Sequence, residues 1–163
     1  EETGLTDAHV EQFYTFTKVD RDPRERVITI AHYALVRLSE VKAGDDASKA
    51  QWFSLDNIPE LAFDHDMILK KAIAHLREQI CFRPIGFDLL PEVFKMSELQ
   101  TLYEAILNVK FDRRNFYNKM LKLGILTEAE ERPKNTSRRI PCKYRFNAAK
   151  YKELKQKGFR LEF

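Results

Sequence analysis

The chain has 163 residues, enough for one domain or two small ones, and its 44% hydrophobic content belongs to folded proteins rather than disordered ones. A formal net charge of +3 conceals an asymmetry: residues 1–79 hold 10 Lys+Arg against 15 Asp+Glu, and residues 80–163 hold 18 against 10, the pattern of two modules with different partners. Cys81 and Cys142 form no CxxC pair or Cys/His cluster, and no apolar run approaches the ~20 residues that span a bilayer, so a zinc module, a disulfide framework and a transmembrane helix are set aside.

Two runs rich in β-branched and aromatic residues, Gln12–Lys18 and Arg26–Leu38, read as strands. The polar loop between them carries Asp20, Arg21, Asp22, Pro23 and Arg24. Ala50–Leu55 reads as a further short strand with Trp52 and Phe53 in the core, and Asp56–Leu61 as a turn or short helix. From Asp64 the period becomes helical, with Ile68, Leu69, Ala72, Ile73 and Leu76 on one face through Gln79. Pro84 and Gly86 then break the pattern, and the domain boundary is placed there: residues 1–80 and 81–163.

The second half opens with a short apolar piece, Phe87–Leu90. A helix follows at Met96, with Ser97 as its expected N-cap and Leu99, Leu102, Tyr103, Ile106 and Leu107 on its apolar face. After a turn at Asn108–Phe111, Asp112 caps a second helix that Gly124 stops. Ile125–Glu131 and Lys143–Phe146 read as strands flanking a basic hairpin, Arg132–Pro141, and Ala148–Lys157 reads as a last helix.

Helix, turn, helix, strand, basic hairpin, strand is the winged-helix order. On the second helix Phe116, Met120 and Leu123 share one narrow stripe, and Arg114, Asn115, Asn118, Lys119 and Lys122 lie opposite it, with Arg113 at its start. Arg and Lys suit phosphate oxygens, and Arg and Asn also make paired hydrogen bonds to guanine and adenine edges. Residues 132–145 contain Arg132, Lys134, Arg138, Arg139, Lys143 and Arg145 and no acid, a loop whose self-repulsion an anion would relieve. Duplex DNA is the expected polyanion. A solvated basic face on an ordinary helix, and an interaction module whose basic half binds an acidic protein, are the competing interpretations.

Glu1-Glu2-Thr3-Gly4-Leu5 resembles the closing end of a Nudix box. With Asp20–Arg24, Ala62-Phe63-Asp64-His65, Ser97–Glu104, Asp112–Phe116 and Lys119-Met120, the whole chain resembles the Nudix-related transcriptional regulators, in which a Nudix-like domain is fused to a C-terminal winged helix. The expected fold is therefore α+β: a partial Nudix-like α/β sandwich in residues 1–80 and a winged helix-turn-helix in 81–163. The resemblance implies a cytoplasmic repressor or activator that works as a homodimer on a palindromic operator, with no membrane partner. It also implies a small-molecule effector: ADP-ribose, a related NAD metabolite, or a pentose such as arabinose.

For the effector, Asp20, Arg21, Asp22 and Arg24 offer groups for phosphate or sugar hydroxyls, and His65 follows at a helix start; a salt-bridged surface turn and a capping or core histidine are the alternatives. His32, inside a strand, reads as structural. Nudix hydrolysis gathers several carboxylates around divalent metal. Glu1 and Glu2 match the paired acids of the box, but its glycine, its other glutamate and its Arg-Glu pair are not in this chain. No cofactor is expected for regulation, and Mg2+ only with a complete, active box. The remaining Nudix strands are expected from a further segment or a companion chain. The alternative function is a Nudix pyrophosphohydrolase acting on ADP-ribose-like nucleoside diphosphates.

Overall fold

The first aromatic and β-branched run folds as β1, Val10–Phe16, and the second as β2, Thr29–Ala34. They pair antiparallel from Val10 opposite Ala34 to Phe16 opposite Thr29, with a register shift between Gln12 and Tyr14. The computed structural model describes residues 10–38, 49–129 and 142–158, and its contacts separate into two units that divide between His75 and Leu76. β1 is as long as its sequence run but starts and ends two residues earlier, and β2 is shorter than its run at both ends. The carbonyl of Phe16, the last residue of β1, accepts from Arg21 Nη1 at 3.3 Å.

Alternation turns Phe13 inward. Its ring lies 6.2 Å from Tyr33 and 5.9 Å from His75 on α1, the helix His65–Gln79 that the 3.6-residue period predicts. Phe16 and Ala31 are buried in this unit, whereas Val10, Ile28 and Ile30 are exposed. His32 is not a core residue: it is exposed, with Nδ1 3.0 Å from the Ile30 carbonyl.

Ala50–Leu55 is not a strand. β propensity needs a partner to pair with, and Ser54 instead starts a 3-10 turn over Leu55–Asn57, its Oγ accepting the Asp56 N–H at 3.4 Å. Trp52 and Phe53 are accordingly 44% and 49% exposed, not core.

The contact units divide inside α1, between His75 and Leu76, rather than after Ile80. Ile80 is fully buried in the core of the second unit. Gly86 adopts φ 85° ahead of a 3-10 turn at Phe87–Leu89, a conformation that favours glycine, and a Cβ there would also crowd Leu102 Cδ2 at 3.1 Å.

Three short strands follow: β3 (Phe94–Lys95), β4 (Leu126–Glu128) and β5 (Lys143–Phe146), in the order β3-β5-β4, antiparallel throughout. β3 was not expected; two residues leave no period to read. It runs directly into α2, Met96–Leu107, so the N-cap is Lys95 and not Ser97. Glu98 completes this start by accepting the Lys95 N–H at 2.6 Å. α3 covers Arg113–Lys122, and α4 covers Ala148–Gln156. Leu99 and Tyr103 of α2, Phe116 and Met120 of α3, and Phe94, Ile125 and Tyr144 from the sheet side form one buried cluster.

Leu99 has no exposed surface and sits where α2 meets this cluster. Leu99→Ala is expected to destabilise the second unit by about 2–5 kcal/mol in urea unfolding, the transfer term plus the cavity left behind. A loss under about 1 kcal/mol would contradict this core.

Candidate nucleic-acid interface and effector loop

α3 begins where Asp112 accepts the Asn115 N–H at 2.8 Å. It ends before Gly124, whose φ of 70° makes the reversal. Phe116 (2% exposed) and Met120 (0%) fix which way the helix faces. Arg113, Arg114, Asn115, Asn118 and Lys122 are exposed and Lys119 is half-buried; α3 itself contains no acid. The sequence assignment thus places these residues outward on one helix.

The turn into α3 is built around Glu104, which sequence reading passed over. Its Oε1 accepts from Gln100 Nε2 and from the Phe111 N–H, both at 2.9 Å, and its Oε2 accepts from Lys110 Nζ at 2.8 Å. Gln100 also donates to the Phe111 carbonyl at 3.0 Å. Asn108, at φ 55°, starts the reversal. The Lys110 ammonium, aided by the Phe111 N–H and Gln100, holds the Glu104 carboxyl down at about 2. The i,i+4 spacing of Gln100 and Glu104 was the available signal.

A second tie joins α3 to the sheet. The hydroxyls of Tyr117 and Tyr144 lie 2.9 Å apart, with the rings edge to face at 6.4 Å. Burial and the Tyr117 hydroxyl push the Tyr144 phenol well up, so it stays protonated. Lys143 and Arg145 flank Tyr144 on the exposed side of β5, and Arg145 Nε lies 3.7 Å from Glu92. Arg132, Lys134, Arg138 and Arg139 lie outside the described residues, as do Glu1 and Glu2. Among the described residues there is no group of three or more His, Cys, Asp or Glu arranged for a metal ion, and no helix long and apolar enough to cross a membrane.

In the first unit the loop after β1 is knitted by two ion pairs. Arg21 grips Asp64 with Nε and Nη2 at 3.0 and 2.9 Å, and the pair is largely buried. That guanidinium keeps the Asp64 carboxyl below its usual range. Asp22 accepts from Arg24 Nε at 3.0 Å, Nη2 at 2.7 Å and the backbone N–H at 2.9 Å, and these bonds lower it to about 2. The Arg24 side chain, 72% exposed, lies 4.9 Å from the Phe63 ring centre. His65 is exposed and its ring is 6.1 Å from the same phenylalanine. Asp20 is exposed at the tip. Arg21 is therefore a brace between loop and α1, while Arg24, Asp20 and His65 face solvent. Beside this brace lies a cleft of about 430 Å³ lined by Tyr14, Phe16, Lys18, Asp64, Met67 and Lys71, with Lys71 Nζ 3.6 Å from the Tyr14 ring centre. Nothing in the sequence pairs Tyr14 with Lys71; their meeting is a tertiary contact.

Residues 86–146 match the model of the NrtR DNA-binding winged helix domain. Over 154 residues the chain is 29% identical to the ADPR responsive transcriptional repressor NtrR of Acinetobacter baylyi, covering 93% of this chain and 61% of that protein. Over 70 residues, 43% of this chain, it is 47% identical to an ADP-ribose pyrophosphatase of Methanocaldococcus jannaschii, of which that stretch is 41%. Its fold is similar to that of a MutT/nudix family protein from Enterococcus faecalis, with a TM-score of 0.71 and 25% identity over 90% of this chain and 64% of that one. The chain thus spans less than two thirds of each of these relatives. The expected α+β architecture, Nudix-like followed by winged helix, is the one observed.

Glu104 supplies a pH test of the turn. A carboxyl lowered from 4.5 to about 2 adds stability that is complete above about pH 5 and is lost as pH falls toward 2. Glu104→Gln should therefore lower the thermal midpoint at pH 7, and the gap to the parent should narrow steadily from pH 5 to pH 3. A gap that stays constant over that range would remove Glu104 from its assigned role.

Proposed function

We propose that the chain is a DNA-binding regulator of the Nudix-related family whose first unit senses ADP-ribose or a related NAD metabolite. One observation carries the DNA half: α3 buries Phe116 and Met120 and turns Arg114, Asn115, Asn118 and Lys122 outward with no acid among them. A helix of this kind enters the major groove, where Arg114 and Asn118 pair with base edges and Arg113, Lys119 and Lys122 reach phosphates. Arg132, Lys134, Arg138 and Arg139 supply further cations for phosphate contact in this reading. A homodimer on a palindromic operator fits a module that reads one half-site per copy.

On the effector side, Arg24, Asp20 and His65 are the groups left facing solvent, and Arg21 and Asp22 position them. The repressor relative is named for its response to ADPR, and the archaeal relative for hydrolysing ADP-ribose, so both support a ligand of that class. The second relationship also keeps a hydrolase reading open to test, with Glu1 and Glu2 as its metal-binding acids.

Duplexes selected by this chain from a random pool give the probe. Replacing Arg114 and Asn118 together by alanine should erase the preference for selected over scrambled duplex, at about 1–3 kcal/mol for each paired contact. Arg138→Ala with Arg139→Ala should weaken both duplexes alike. ADP-ribose should raise the thermal midpoint and shift the DNA affinity of the full chain. If the chain instead binds no duplex and cleaves ADP-ribose with Mg2+, the hydrolase reading replaces this one.

A further inference from the structure

The first turns of α2 and α3 converge on a cleft of about 510 Å³, apart from the outward face of α3 but continuous with it through Arg113 and Arg114. Lys95, Ser97, Arg113, Arg114 and Tyr117 line it. Three cations meet one acid there, Asp112, and that carboxylate already accepts the Asn115 N–H at 2.8 Å. Two helix N-termini, of 12 and 10 residues, add their unpaired N–H groups and the positive ends of their dipoles.

Two hydroxyls complete the donor set. Ser97 takes no part in the α2 cap, because Glu98 reaches back to Lys95 instead, so the hydroxyl of Ser97 stays on the cleft wall. Tyr117 and Tyr144 share one hydrogen bond at 2.9 Å but own two hydroxyl protons. Tyr144 is 1% exposed whereas Tyr117 is half-buried, so the Tyr117 hydroxyl is the one of the pair that the cleft reaches. Cations, hydroxyl donors and helix N-termini around one open cleft are the chemistry of a phosphate oxygen.

We propose that this cleft seats one backbone phosphate of duplex DNA, held by Lys95, Ser97 and Tyr117, and thereby sets the depth and angle at which α3 enters the groove. This rests on the DNA-binding reading given above. The contact positions and does not specify, since every duplex offers the same phosphates. None of the three residues lies on the recognition face, and none was singled out for DNA contact by the sequence pattern.

The test uses the full chain and a 30-base-pair duplex of arbitrary sequence, followed by fluorescence anisotropy across a NaCl series. Lys95→Ala should reduce the slope of log affinity against log salt by about 0.9, the value for one phosphate contact. Ser97→Ala and Tyr117→Phe should weaken binding about three- to tenfold with the slope unchanged. All three should keep the ratio of selected to scrambled duplex that Arg114→Ala and Asn118→Ala destroy. Tyr144→Phe is the control, because it breaks the same hydroxyl pair but leaves the Tyr117 proton; it should bind more tightly than Tyr117→Phe. A parental slope in Lys95→Ala or equal affinities for the two phenylalanine variants would overturn the seat while DNA binding through Arg114 stands. A parent that binds no duplex at all would overturn both.

Discussion

Phe116 and Met120 lie one turn apart on α3, and the core of the second unit removes both from water. A ten-residue helix with so narrow an apolar stripe has one way to bury it. Every other feature of the proposed interface depends on that choice, because burying the stripe forces the acid-free side toward solvent. Full burial of side chains of this size is worth about 1.5–3 kcal/mol each, enough to hold several like charges together on the opposite face. The Glu104 carboxylate fixes the approach of the helix from one end, and the Tyr117–Tyr144 hydroxyl pair fixes its seat on β5.

The two units treat charge in opposite ways. In the loop after β1 two arginines are paired with acids, Arg21 with Asp64 and Arg24 with Asp22. α3 has no acid in its body, and its N-cap carboxylate is occupied by a backbone N–H. Positive charge that no acid of its own helix offsets is poised for an external anion. The overall +3 conceals this contrast, whereas the charge of each half reveals it.

Much of α3 was legible because its determinants are local. The Asp112 cap, the Phe116–Met120 spacing and the Gly124 stop are each set within a turn or two of chain. What escaped was tertiary. Two-residue β3 has no period of its own, and because it feeds straight into α2 the cap moved from Ser97 to Lys95. Ala50–Leu55 has strand composition but forms no ladder, so Trp52 and Phe53 stay exposed. The Arg21–Asp64 brace and the Tyr117–Tyr144 pair join residues 43 and 27 positions apart, beyond any local pattern. For the effector loop, composition showed which charges were present but not which were already paired.

The central claim, that α3 presents its cationic face to duplex DNA, is tested most directly by lysine-reactivity footprinting of the chain with and without bound duplex. Protection should concentrate at Lys119 and Lys122, while Lys18 and Lys70 of the first unit react as before. Unchanged reactivity at Lys119 and Lys122 in a saturated complex, or protection confined to the first unit, would contradict it.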